Sequence, residues 1–201
     1  MRNLAVLILF SLSFAGCAVF KPVPRQTINT YELSAVAKLE PKPLSTPLIL
    51  FVNQTLSSPG YETNGIAYSK TPYQLNYYSQ NRWVAPPAQL INKALVNSLQ
   101  QSQYFKAIAT APFVGVYDLR LDTRLLELKQ DLQNQPKQIV MVLAAQLVDV
   151  KQQTILASKQ FTVKMPTHDN PQAAVVDANL GLGLLLDQVI QFCVKNVPVS
   201  K

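Results

Sequence analysis

The sequence predicts an α+β domain, a mixed, mainly antiparallel sheet with two amphipathic helices packed on one face. Three observations lead there. Period-two alternation recurs in mid-chain, as where Tyr117, Leu119 and Leu121 alternate with Asp118, Arg120 and Asp122. Continuous apolar runs of strand length, "LILFV" and the start of "QIVMVLAAQLVDV", mark strands buried on both sides. Two segments, opened by Pro86-Pro87 and by Pro171, carry apolar residues at helical spacing.

Upstream of this domain the chain starts Met1-Arg2-Asn3 and runs apolar from Leu4 to Ala15, 12 residues. That run is short of the roughly 20 needed to cross a bilayer, and small residues follow it, so residues 1–16 read as a signal peptide. Phe14-Ala15-Gly16-Cys17 resembles the bacterial lipobox, in which the cysteine is acylated and becomes the first residue of the mature chain. A plain signal peptide cut near Ala15 is the simpler alternative. Ala18 follows the cysteine where inner-membrane lipoproteins carry Asp, so resemblance to other lipoproteins implies the periplasmic face of the outer membrane. Residues 17–26, with two prolines and no periodicity, read as a lipidated tether, and residues 27–201 as one domain.

Within the domain, "TYELSAVAKL" opens the fold and "LILFVNQ" supplies a central strand after a proline-rich break. In "IAYSKTPYQLNYYSQNRWV", Tyr73, Leu75 and Tyr77 alternate with Gln74, Asn76 and Tyr78, which points Tyr73 and Tyr77 at the core. Pro86-Pro87 suits a first helical turn, where the missing amide hydrogen has no intrahelical partner. Leu90, Ile91, Ala94, Leu95 and Leu99 continue that helix's apolar stripe. A short strand "YFKAIAT" and a three-strand meander follow, with Ile155, Ala157, Phe161 and Val163 on one face of the last strand. The closing helix, Pro171 to about Lys195, buries Val175, Leu182, Leu186, Val189 and Cys193. Gly181 and Gly183 weaken a helix, so they mark close packing against the sheet. Asn179, Asp187, Gln188 and Gln191 interrupt its apolar character and argue against a membrane span.

The whole chain has 18 basic and 11 acidic residues; without Arg2 the balance is 17 to 11, a charge of +6. The lysines are scattered singly, which excludes a nucleic-acid track and suits anionic head groups or an acidic protein. Two lone cysteines make no disulfide framework, and Cys193 reads as a small buried hydrophobe.

Catalytic groups are sparse. His168 is the single histidine, in a loop beside Asp169, with no nucleophile motif to serve. One histidine and one buried cysteine cannot fill a tetrahedral metal site, and no glycine-rich phosphate loop implies a cofactor. Asp118, Asp122 and Glu127 sit beside Arg120 and Arg124 and read as a salt-bridged face. The expectation is a protein that is not an enzyme. Tyr68, Tyr73, Tyr77, Tyr78 and Trp83 fall within sixteen positions. Aromatics with a polar handle favour interfaces, and Tyr78 and Trp83 are the pair expected to bind a partner.

A lipobox, an apolar strand and then "IAYSKTPYQLNYYSQNRWVAPPAQLINKALVNSLQQSQYFKAI" together resemble the ABC-type transport auxiliary lipoprotein family, to which the paraquat-inducible protein C lipoproteins belong. That family more often has an arginine where this chain has Ser69-Lys70. The resemblance implies a non-catalytic docking component on the outer membrane, held in its lipid by the acyl anchor. Its implied partner is a periplasmic mammalian-cell-entry-domain protein, served by an inner-membrane ABC permease and ATPase that move phospholipid or another hydrophobic solute. A homo-oligomer is compatible with this. The alternative is an envelope assembly lipoprotein, a plug or chaperone for an outer-membrane barrel or lipopolysaccharide export.

Overall fold

The computed structural model describes residues 27–38, 46–112 and 115–198. The expected signal peptide, Cys17 and the tether lie outside them. Nine strands and two helices follow in the order β1 Asn29–Tyr31, β2 Thr46–Val52, β3 Leu56–Ser57, β4 Gly65–Ser69, β5 Asn76–Trp83, α1 Pro87–Ser102, β6 Phe105–Ala109, β7 Leu119–Asp131, β8 Gln138–Asp149, β9 Thr154–Pro166 and α2 Pro171–Asn196. The class is α+β with a mixed sheet, as the sequence predicts.

β7 is the spine of the sheet. One edge pairs antiparallel with β8 from Leu119 to Asp131, and β8 pairs antiparallel with β9. Its other edge takes three short strands in series, all parallel: β2 at Leu119–Leu121, β3 at Arg124–Leu125 and β4 at Gln130–Asp131. With β1 on β5 and β6 on β2, five of the eight pairings are parallel. The expected antiparallel character is found in the long β7–β8–β9 ladders and the short β4–β5 hairpin. Side-chain alternation reports burial and not strand direction, which is why the sequence missed the parallel pairings.

Leu119, Leu121, Thr123 and Leu125 point inward along β7, and after a bulge between Leu125 and Glu127 the inward residues become Leu128 and Gln130. One extra residue switches the buried face from odd to even positions. Ile155 is exposed at the start of β9, while Phe161 and Val163 are buried. Of the expected single face, Ala157 packs partly buried against the core and only Ile155 falls outside it.

α1 starts on Pro87 as expected and buries Leu90, Ile91, Ala94, Leu95 and Leu99. α2 is capped by Asn170, whose Oδ1 accepts from the Ala173 amide at 2.7 Å, satisfying one of the free first-turn donors. It touches β8, β9 and α1. A Cβ on Gly181 would lie 3.1 Å from Met165 Cγ, so this glycine lets α2 approach the sheet. Gly183 does something else: a Cβ there would lie 3.5 Å from the Val36 carbonyl oxygen.

That carbonyl belongs to an extended strap formed by residues 32–38. Asn179 accepts from the Ser34 amide and donates to the Glu32 carbonyl, each at 3.0 Å, and Asp187 accepts from the Lys38 amide at 2.8 Å. The Ala37 amide donates to Ser98 Oγ of α1 at 3.0 Å, and Leu33 is buried. From Ser34 to Lys38 an extended chain covers roughly 13 Å, and Asn179 to Asp187 on a helix is about 12 Å. The two rows match, so side chains of α2 stand in for a neighbouring strand. By length and composition α2 could cross a membrane, yet more than half of its most apolar window is buried in the protein. Two of the polar residues that interrupt it, Asn179 and Asp187, are the ones that hold the strap.

Candidate functional site

The aromatic cluster occupies the hairpin of β4 and β5. In a regular strand Tyr78 and Trp83, five positions apart, would face opposite sides. The ladder is not regular: Gly65 pairs with Arg82 and Ala67 with Tyr77, so two steps along β4 match five along β5. The surplus residues bulge out and both rings turn inward.

Trp83 is 2% exposed and lies in the main core. The expectation that it presents its ring to a partner is corrected by this placement. Tyr78 is half-buried, its ring 4.6 Å from that of Tyr68. Its hydroxyl donates to Gln130 Oε1 at 2.6 Å, and the Gln130 amide donates on to the His168 carbonyl at 2.6 Å. Burial, with the Asp169 charge and Tyr68 adding to it, pushes the Tyr78 phenol up to about 12. It is a neutral donor fixed to the sheet.

The exposed aromatics are the two expected inside. Tyr77 lies over Gly65, where a Cβ would come within 2.7 Å of its ring, and its hydroxyl donates to the Gly60 carbonyl at 2.6 Å. Tyr73 precedes β5, in the β4–β5 loop, and is fully exposed. Its φ of 62° is left-handed, a conformation uncommon for a residue with a bulky side chain. The loop is tied down around it. Ser69 Oγ donates to the carbonyls of Thr71 and Gln74 at 3.1 and 2.8 Å, and Thr71 Oγ1 donates to Gln74 Oε1 at 2.7 Å. Lys70 Nζ sits 5.6 Å from the Tyr68 ring centroid. No periodicity could have assigned Tyr73 to the surface. The signal was "SKTPYQ", whose proline and small polar residues mark a turn.

Of the expected ionic face, Arg120 pairs with Asp122 at 2.9 Å and Glu127 with Lys129 at 2.8 Å on β7, and Asp118, just ahead of the strand, pairs with Lys151 at 3.0 Å; Arg124 is exposed and in none of the ion pairs among the described residues. His168 is exposed in the β9–α2 loop. Among the described residues no three His, Cys, Asp or Glu side chains gather as a metal would need. Cys193 is fully buried in α2, and burial pushes its thiol up to about 12.

A family model described as the ABC-type transport auxiliary lipoprotein component matches residues 31–189, most of the chain. The chain belongs to this family. The match runs from the end of β1 to near the end of α2, and so takes in the strap, the aromatic hairpin and both helices of this chain. Among solved structures, a protein of Xanthomonas campestris is similar, with a TM-score of 0.73 at 18% identity over 85% of this chain and 96% of its own. An uncharacterised protein gives 0.65 at 18% identity over 83% and 99%. The PelC dodecamer from Paraburkholderia phytofirmans, in two structures, resembles the auxiliary lipoprotein more remotely, at TM-scores of 0.43 and 0.44 and 12–13% identity over 74% of this chain. No curated protein sequence matches.

Proposed function

We propose that this auxiliary lipoprotein is acylated on Cys17, stands on the periplasmic face of the outer membrane, and acts as a non-catalytic docking component of an ABC-type lipid transport system. Its partner in this reading is a periplasmic mammalian-cell-entry-domain protein that carries phospholipid or another hydrophobic solute. The family match over residues 31–189 carries the reading. Cys17 supports it, because it follows an apolar run and precedes the domain by only ten residues. Two or three acyl chains, at about 0.8 kcal/mol per buried methylene, hold a protein on a membrane without a spanning helix.

With Trp83 in the core, docking falls to surfaces that face solvent. Val176, Leu180 and Leu184 project from α2 at four-residue spacing, each about half exposed, and form the apolar stripe suited to a protein partner. Capture from solubilised envelopes tests the reading. The wild-type chain should carry fatty acid and recover a mammalian-cell-entry-domain protein; Cys17→Ala should lose the fatty acid; Leu180→Glu should lose the partner while keeping the acyl group and the melting temperature. Recovery of a barrel assembly in place of that partner would overturn the transport role.

A further inference from the structure

We propose that the end of the sheet carrying the β4–β5 loop is a membrane-contacting surface, on which Lys70 and Tyr73 sit at the head-group level of an anionic bilayer. The proposal rests on the acyl anchor at Cys17 and adds a contact made by the folded domain itself.

The direction of β1 is the first observation. β1 runs parallel to β5, with Asn29 beside Asn81 and Tyr31 beside Trp83. The chain upstream of Asn29 therefore heads toward the start of β5, where the β4–β5 loop lies. β4 ends beside Asp131 at the end of β7, and the Gln130 side chain is bonded to His168 ahead of α2. One end of the sheet thus gathers the β4–β5 loop, the β7–β8 turn, the β9–α2 loop and the entry of the anchored chain. The ten residues from Cys17 to Gln26 span at most roughly 35 Å when extended, so this is the end the anchor holds nearest to the lipid.

The second observation is what this end displays. Tyr73 is fully exposed, buries nothing within the fold, and is held in a left-handed conformation by a loop cross-braced through Ser69 and Thr71. Tyrosine is favoured at the membrane–water boundary, where its ring meets the acyl region and its hydroxyl stays wet. Lys70 beside it is exposed and takes part in none of the four ion pairs among the described residues. The nearby acids are already engaged: Asp169 pairs with Lys137 at 3.0 Å, and Asp131 is buried and accepts from Gln133 and Asn134. The β8–β9 turn at the opposite end presents Lys151, Gln152 and Gln153 without an aromatic, and Lys151 is paired with Asp118.

The test places a polarity-sensitive fluorophore on the full mature chain through Pro72→Cys, leaving Tyr73 in place. The chain is reconstituted on vesicles of phosphatidylethanolamine and phosphatidylglycerol that contain brominated phospholipid. Cys193 is fully buried and does not compete for the label. Quenching at position 72 should exceed, several-fold, that of the same probe at Gln152→Cys. Adding Lys70→Glu and Tyr73→Ser to the Pro72→Cys chain should reduce it toward the Gln152→Cys level. Equal, weak quenching at both positions on vesicle-bound protein would overturn the proposal, whether the loop then faces open periplasm or a protein. Mass analysis of Cys17 reports the anchor separately. If it carries no acyl group, a hexahistidine tag replacing Cys17 and a chelating lipid hold the chain by the same residue, and the same two outcomes decide.

Discussion

Trp83 shares a void of about 10 Å³ with Leu128, Ile139 and Ala178, so its indole joins the β4–β5 hairpin to β7, β8 and α2. Deleting a buried aromatic of this size costs about 3–5 kcal/mol. Trp83→Ala should therefore melt many degrees below wild type, while Tyr73→Ala should melt with it, because Tyr73 has no intramolecular burial to lose; thermal unfolding of both variants checks this. The five aromatics were legible as a cluster from their density. Their assignment to inside and outside was not, because it depends on the residues that β5 inserts opposite β4, and a strand irregularity of that kind has no side-chain signature. Just past the end of β2, Asn53, whose carbonyl accepts from Asn92 of α1 and whose side chain reaches Asp122, was hidden from any reading by periodicity as well.

Strands and helices were more legible than residues, since each long element carries its own period or cap. Pro87 and Pro171 mark the helix starts, and the turn "KQQ" separates β8 from β9. What no local pattern reveals is the work of Asn179 and Asp187, 145 or more positions from the amides they accept. Those two side chains hold the strap as a unit. Asn179→Ala leaves the Ser34 amide and the Glu32 carbonyl without partners, and Asp187→Ala does the same to Lys38. Each lost bond is worth about 1 kcal/mol. The double variant should speed amide hydrogen exchange across residues 33–38 well before it alters exchange in β7 or β8. Uniform acceleration through the whole domain would show that the strap is not a separately opening unit.

At the scale of the whole molecule, the class and the long antiparallel ladders were legible in the sequence, but not the order of the sheet. Parallel additions to β7 come from strands as short as Leu56–Ser57, whose two residues carry no period at all. Stability as a function of pH is also a property of the whole. The Asp118 carboxyl is held below its usual range by the Ile49 amide, then by Lys151. For Asp131 burial pulls upward, yet hydrogen bonds from Asn134, the Gln133 amide and Gln138 outweigh it and leave the group lowered. Both folded values lie below the unfolded one of about 3.9. Their stabilisation is therefore fully present above that value and is lost as pH falls through the folded values. Denaturant unfolding should show stability dropping below about pH 4, with a shallower acid limb in the Asp118→Asn, Asp131→Asn double variant.

The strap and β1 also decide how the molecule bears mechanical load. Chain entering ahead of β1 runs along β1 beside β5, then along α2 from Asn179 toward Asp187, always away from the end at which it enters. In the arrangement proposed above, with the tether in lipid and a partner docked, tension on the tether acts lengthwise along both contacts. It shears their hydrogen bonds together instead of unzipping them singly. Such a load would have to break both rows together and not the three residues of β1 alone.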